Sequence, residues 1–237
     1  MSEKKKIILV TGVTSGIGEA VAVRLAGEGH QVVGGARRAD RLATLKRENL
    51  HVRRVDVTDR ADMAAFVDET VSEHGRIDAI VNNAGVMPLS RMDALLVDEW
   101  DTMIDVNVRG LLNGIAAALP HFQRQGHGHF VTMASIGAHQ VVPTGAVYCA
   151  TKHAAWAITE GLRLELDPSI RVTTISPGVV ESELAHTITD PDAAKAMEIY
   201  RAESIPPDAI ARAVSYAVNE PADVDVNEVI VRPARQR

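Results

Sequence analysis

A chain of 237 residues with 46% hydrophobic content can close a full core, and nothing in it reads as a linker, so a single α/β domain is expected. The net charge of -6, without a dense Lys/Arg stripe, gives nucleic acid little to hold, because that affinity comes mainly from phosphate neutralisation. Apolar runs such as IILV at 7–10 and GLLNGIAAAL at 110–119 are too short or too interrupted to span a bilayer, and no signal-peptide apolar region follows MSEKKK, so the expectation is a soluble, cytoplasmic protein with no membrane association.

The first element is a strand, IILVT at 7–11, followed by TGVTSGIG and a helix over about 16–28. Gly12, Gly16 and Gly18 permit a tight turn and a close approach of backbone N–H groups to a pyrophosphate, and the helix start adds partial positive charge. The spacing G-x-x-x-G-x-G departs from the G-x-G-x-x-G fingerprint, so the strand-loop-helix context carries this inference. A second strand, QVVGGA at 31–36, ends in GGARRAD. A site for NAD usually places Asp or Glu there for the ribose 2′-OH, whereas a 2′-phosphate wants arginine. Ala36 stands where the acid would fall, and Arg37 and Arg38 follow. A guanidinium can clasp the phosphate that a carboxylate would repel, which points to NADP(H). Two solvated arginines opening a helix would leave the missing acid unexplained, although Asp40 lies close by.

A helix over 39–48, a strand at 51–57, a helix over 60–74 and a strand at 78–83 come next. They are followed by a long helix over 97–125, a strand at 129–135, a helix over 145–166 and a strand at 171–176. After an irregular stretch at 178–206, a helix over 207–219 and a strand at 227–232 close the pattern. Repeated βα alternation argues for a parallel sheet covered by helices on both faces. The stretch 178–206 follows SPG and carries DP and PP, so it reads as a surface excursion with a short helix or two. Ligands of open α/β sheets sit beyond the carboxyl ends of the strands, which makes this excursion a candidate substrate lid.

Cys149 is the only cysteine, so an internal disulfide is excluded, and a small buried thiol packing its helix is the reading preferred over a nucleophile without a nameable base. His127 and His129 alternate as strand-entry residues would, and a metal site would need further ligands that the chain does not offer. Tyr148 and Lys152 stand four apart in AVYCATKHA, a spacing that rises roughly 6 Å along a helix and returns to the same face. Taken alone, the segment reads as an amphipathic helix with one exposed lysine.

The whole set changes that reading. TGVTSGIG, NNAG at 82–85, Asn107 in DVNVRG, Ser135 in TMASIG, YCATK at 148–152 and SPG at 176–178 resemble, in order and spacing, the classical short-chain dehydrogenase/reductases over about residues 5–232. The resemblance implies a Rossmann-type, doubly wound, seven-stranded parallel sheet in one domain. It implies that Tyr148 is the catalytic acid/base, that Lys152 activates it and binds the nicotinamide ribose, that Ser135 polarises the substrate carbonyl, and that Asn107 holds a relay water. It assigns cofactor binding to the glycine loop (Gly12, Thr14, Ser15, Gly16, Ile17 and Gly18), to Asp56 and Val57 beside the adenine, and to Asn83, Ala84 and Gly85. Pro177, Gly178, Val180 and Ser182 match its nicotinamide end. Two positions depart from the family's habit: Ala134 replaces a second serine and Ser182 replaces a threonine, and neither removes a needed group.

Reduction of a ketone needs a hydride on carbon and a proton on oxygen, and the cofactor supplies only the first. A tyrosine of pKa about 10 would exchange that proton poorly near neutrality, and burial would raise it further, so a neighbouring cation must pull it down. Lys152 offers that charge. The expected activity is NADP(H)-dependent hydride transfer between nicotinamide and a small carbonyl or alcohol substrate, a ketone, aldehyde or 3-hydroxy acid. The ESEL segment and the NEVIVRP ending are similar to those of 3-hydroxy-acid (serine) dehydrogenases and the clavulanate-pathway reductase. The alternatives are a 3-oxoacyl-carrier reductase and a protein that senses NADP(H) without turnover. Family members commonly assemble through helices matching 97–125 and 145–166, so a homotetramer or homodimer is expected, with Ala150, Ala154, Ala155 and Ala157 permitting close packing.

Overall fold

Alternation of side chains along the first strand sets the layers of the molecule. The computed structural model describes residues 5–236. In β1 (Ile7–Thr11), Ile8 and Val10 face one core while Ile7 and Leu9 face the other, as the two-residue period of a strand requires. β2 (Gln31–Ala36), β3 (Leu50–Arg54), β4 (Ala79–Asn82), β5 (Gly128–Met133), β6 (Ile170–Pro177) and β7 (Glu228–Val231) complete a seven-stranded sheet in the order β3-β2-β1-β4-β5-β6-β7. Every pairing is parallel. Strands β1, β4, β5 and β6 are buried along their whole length, as expected for a sheet covered on both faces.

Among the described residues, eight α-helices flank it: α1 (Gly16–Gly27), α2 (Ala39–Leu45), α3 (Arg60–His74), α4 (Val97–Ile104), α5 (Gly110–Gln125), α6 (Ala146–Glu165), α7 (Pro191–Tyr200) and α8 (Pro207–Asn219). Val21 and Leu25 of α1, Leu42 of α2 and Ile210 and Val214 of α8 pack on one face against Ile8, Val32 and Val81. Met63 and Phe66 of α3, Ile115 and Phe122 of α5 and Ala155 of α6 fill the other against Leu9, Ile80, Phe130 and Val172. Ala155 therefore packs on its own sheet, whereas Ala150 and Ala157 are exposed. The Rossmann-type doubly wound fold expected from the sequence is the one observed. Among the described residues, no helix is long and apolar enough to cross a membrane.

The departures are local. β3 stops at Arg54 rather than 57 because its partner β2 ends at Ala36, the last residue paired with it. The chain then turns, with the Asp56 carboxylate accepting from the Thr58 N–H at 3.0 Å. α2 stops at Leu45, short of 48, where Lys46 takes extended backbone and Arg47 bridges back to Leu50. The expected helix over 97–125 contains one π-helical turn at Asp105–Arg109, which admits an extra residue between α4 and α5. The stretch 178–206 holds a short turn of helix at Glu183–Thr187 and α7, and a parallel bridge between Val180 and Ile205 closes its base.

Candidate active site

A cleft of about 430 Å³ opens where the strand order reverses, between the C-terminal ends of β1 and β4. Every residue singled out from the sequence as catalytic or cofactor-binding lines it, except Asn107.

Its floor is the loop from β1 to α1. Gly12 and Gly16 take φ of 74° and 57°, the left-handed region that favours glycine. Gly18 is required by space, because a Cβ there would collide with the Gly12 carbonyl oxygen and the Asn83 amide. Ser15 begins α1 without a side-chain capping bond, so the first-turn N–H groups, which have no helical partner, remain for an anion. Asn83 staples this loop to the one after β4. Its Nδ2 donates to the Thr11 carbonyl at 2.8 Å, and the N–H groups of Asn83 and Ala84 donate to Thr11 Oγ1 at 3.0 and 3.1 Å.

At the end of β2, Arg38 folds over the glycine loop. Its Nε and Nη2 donate to Thr14 Oγ1 at 3.0 and 2.9 Å, and Nη2 also donates to Ser15 Oγ at 2.8 Å. Its remaining nitrogen, Nη1, meets Glu183 Oε2 at 3.0 Å, and Arg41 Nη1 reaches both oxygens of the same carboxylate at 2.6 and 2.8 Å. Arg41, then Arg38, hold the Glu183 carboxyl below its usual range. Sequence reasoning missed Arg41 and Glu183. Arg41 could have been found three residues after Arg38, at helical spacing, but Glu183 lies 142 residues further on. Arg37 is exposed at the rim. Burial opposes the charge on Asp56, yet two hydrogen bonds from Thr58 and the nearby Arg37 and Arg54 outweigh it and keep that carboxyl below its ordinary range.

The catalytic candidates converge at the other end. Ser135 leaves β5 in extended backbone and caps the short turn Ile136–Ala138, its Oγ accepting from the Gly137 N–H at 3.0 Å. Tyr148 lies in the first turn of α6, its ring partly open to the cleft. Burial of its hydroxyl pushes the phenol up to about 12, against a lowering hydrogen bond with Ser135. One turn on, Lys152 is buried and lowered by that burial to about 8. Its Nζ donates to the Met133 carbonyl at 2.9 Å and stands 5.9 Å from the centre of the Tyr148 ring.

Asn107 sits in the π turn behind this group. Its Oδ1 accepts from the Val86 N–H at 2.9 Å, while Nδ2 donates to the Val86 carbonyl at 2.9 Å and to Thr151 Oγ1 at 3.1 Å. A void of about 10 Å³ separates Asn107 from Lys152, with Asn82 and Thr132 among its walls. That is room for about one water molecule. Cys149 is buried with its Sγ packed towards Gly137 and Gly145. His127 and His129 go to separate partners, Asp78 at 3.2 Å and Thr173 at 2.8 Å, and burial keeps His129 neutral. No group of three His, Cys, Asp or Glu among the described residues is placed to hold a metal.

The segment 178–206 forms the outer wall. Ser182 caps the turn Glu183–Thr187, and Arg201 Nη2 donates to the carbonyls of Val180 and Ser182 at 3.2 and 2.7 Å. Pro177 and Gly178 line the cleft beneath it. Gln236 accepts from the Val179 N–H at 3.0 Å and bonds the Tyr200 hydroxyl, and Arg235 pairs with Glu203 at 2.9 Å, so the C-terminal tail grips this wall from outside. Arg201, Gln236 and Tyr200 had no local signal in the sequence. On the inner side, Leu184, Ile188 and Met197 join Met87, Leu89 and Tyr148 in a small apolar cluster.

Residues 6–193 match the family model described as short chain dehydrogenase. An uncharacterized oxidoreductase of Staphylococcus saprophyticus is 43% identical, with 98% of each chain covered. Another, of Listeria innocua, is 42% identical over 100% of this chain and 99% of its own. Among solved structures, a serine dehydrogenase in closed form with NADP+ superposes with a TM-score of 0.88 at 33% identity, covering 95% of this chain and 94% of that one. An alcohol dehydrogenase of the archaeon Thermococcus sibiricus, complexed with 5-hydroxy-NADP, gives 0.86 at 29% identity and 99% coverage of both chains.

Proposed function

Because the chain belongs to the short-chain dehydrogenase family of oxidoreductases, we propose that it is an NADP(H)-dependent reductase of small apolar ketones or aldehydes, running in reverse on the corresponding alcohols. The observation that carries this reading is Ser135, Tyr148 and Lys152 gathered at one end of a cleft whose other end is a glycine cradle beside arginines. The residues present suit a dinucleotide. The cradle leaves no Cβ at Gly12, Gly16 and Gly18, the first turn of α1 is uncapped, and the cations of Arg37, Arg38 and Arg41 near the glycine loop support a 2′-phosphate. Thr14, Ser15, Ile17, Asp56, Val57, Asn83, Ala84, Gly85, Pro177, Gly178, Val180 and Ser182 would complete its contacts.

When bound, the nicotinamide supplies the hydride. Tyr148 donates its phenolic proton to the substrate oxygen, and Ser135 donates a hydrogen bond to that oxygen as charge develops on it, an interaction stronger in the transition state than before it. Lys152 holds its ammonium beside the phenol, so the phenolate left behind is stabilised. The void between Lys152 and Asn107 has room for the water that would return a proton to the site. Because the Asn107 side chain is committed to Val86 and Thr151, its part in holding that water falls to its main chain.

The apolar cluster of Met87, Leu89, Leu184 and Met197 beside Tyr148 favours a hydrophobic substituent on the carbonyl over a charged hydroxy acid. Exposed Ile104, Leu112, Trp156 and Leu164 support self-association through α4–α5 and α6, as a dimer or tetramer. The test is NADPH consumption with a panel of apolar aldehydes and ketones, 3-oxo acids and 3-oxoacyl thioesters, with NADH alongside. Turnover is expected for the apolar carbonyls. Tyr148→Phe should bind nucleotide as before and lose turnover; a Tyr148→Phe protein that still reduces substrate at the normal rate overturns the acid role.

A further inference from the structure

The carboxylate of Glu183 lies between the guanidinium groups of Arg38 and Arg41. Arg38 is pre-set by its bonds to Thr14 and Ser15, and the nitrogen it has left over reaches Glu183 at 3.0 Å. Arg41 takes both oxygens of the same carboxylate. Glu183 comes from the segment after β6, not from the nucleotide half of the sheet. Its backbone neighbour Ser182 lies so close to the glycine loop that a Cβ on Gly16 would come within 3.2 Å of the serine Cβ. The arginines, the glycine loop and the outer wall therefore meet at one carboxylate.

We propose that Glu183 is a specificity-determining residue that competes with the 2′-phosphate for Arg38 and Arg41 and so lowers the preference for NADP(H) over NAD(H). The proposal rests on reading the cleft as a dinucleotide site. A nucleotide with a free 2′-hydroxyl can enter with the Glu183 pairs intact, and the carboxylate is an acceptor of the kind that β2 lacks at Ala36. A nucleotide with a 2′-phosphate brings like charge against Glu183, so the side chain must leave the arginines and the phosphate take over its hydrogen bonds. The groups are partly exposed, with side-chain accessibilities of 42% for Arg38, 43% for Arg41 and 39% for Glu183, so the exchange is a modest one that a ligand can drive.

The experiment is direct binding of NADPH and of NADH, by calorimetric titration without substrate, to wild type, Glu183→Gln, Arg38→Met/Arg41→Met and the triple variant. Glu183→Gln, nearly isosteric and partly exposed, should tighten NADPH about fivefold, the upper range for an exposed ion pair, while NADH changes by less than about twofold. In the background without the two arginines, Glu183→Gln should give no such gain, because its effect acts through them. Unchanged or weaker NADPH binding overturns the proposal, as does an equal gain for both nucleotides, which would mean that the substitution only loosens the wall. Wild type that prefers NADH would remove the NADP(H) reading yet support the competition if Glu183→Gln restores NADPH binding. Wild type that binds neither nucleotide would sink the dinucleotide reading and this proposal with it.

Discussion

Burial drives Tyr148 and Lys152 in opposite senses, the phenol up to about 12 and the ammonium down to about 8. Both shifts disfavour the charged form, yet the proposed chemistry needs a charged lysine beside a tyrosine that gives up its proton. In the reductive direction turnover should therefore fall as pH rises through about 8, where Lys152 loses its proton before Tyr148 can. A pH profile of kcat tests this, and Lys152→Met should flatten that limb while cutting turnover by about 100-fold or more. The linkage has a definite sign. The folded pKa of Lys152 lies below its reference value of 10.5, so the unfolded chain binds the proton more tightly and this group adds stability as pH rises from about 8 towards 10.5. At neutral pH the fold carries a buried ammonium, and Lys152→Met should melt no lower than wild type in a thermal scan. A marked loss of stability would mean that the lysine is there for structure.

The π turn at Asp105–Arg109 is the element that ties the site to the scaffold. It points the Asn107 amide at both main-chain groups of Val86 and at Thr151, so the loop after β4, the turn and α6 share one side chain. Asn107→Ala would leave the Val86 N–H and carbonyl without partners, at a cost of about 1–3 kcal/mol read by denaturant unfolding. It should also lower kcat more than it raises KM, because it shifts the helix that carries Tyr148 and Lys152. The sequence pattern over 97–125 gave no sign of this turn, since one inserted residue barely disturbs a helical hydrophobic period. That Tyr148, Lys152 and Ser135 would line one cleft was legible, because each sits in a short motif on one element. The pairing of Glu183 with Arg38 and Arg41 was not, because only the completed fold brings residues so distant in the chain into contact. The end of β3 was misplaced for a related reason: a strand stops where its neighbour stops, and the length of β2 does not appear in the residues of β3.

At the scale of the whole molecule, two cores cover the faces of the sheet, while the wall over the cleft is tied down by side-chain contacts, the Glu183 pairs among them. Arg201 binds it from within, and Gln236 and Arg235 of the tail grip it from outside. Gly178 belongs to the same arrangement, since any side chain there would collide with Gln236. Gln236→Ala should raise amide exchange over α7 while leaving β1, β4 and β5 protected, because local opening is governed by the contacts of the segment that opens. Equal exchange in both proteins would mean that the tail does not restrain the wall.

The bridge between Val180 and Ile205 brings the two ends of this wall side by side. A graft of segment 181–204 would therefore join at two adjacent points and leave the strand register unchanged. Such a graft would carry the apolar face of Leu184, Ile188 and Met197 and, with it, the carboxylate of Glu183. With Glu183 tuning nucleotide choice as proposed, transplanting the substrate-facing side of this segment would move nucleotide choice along with it, and the two would be inherited together when such segments recombine.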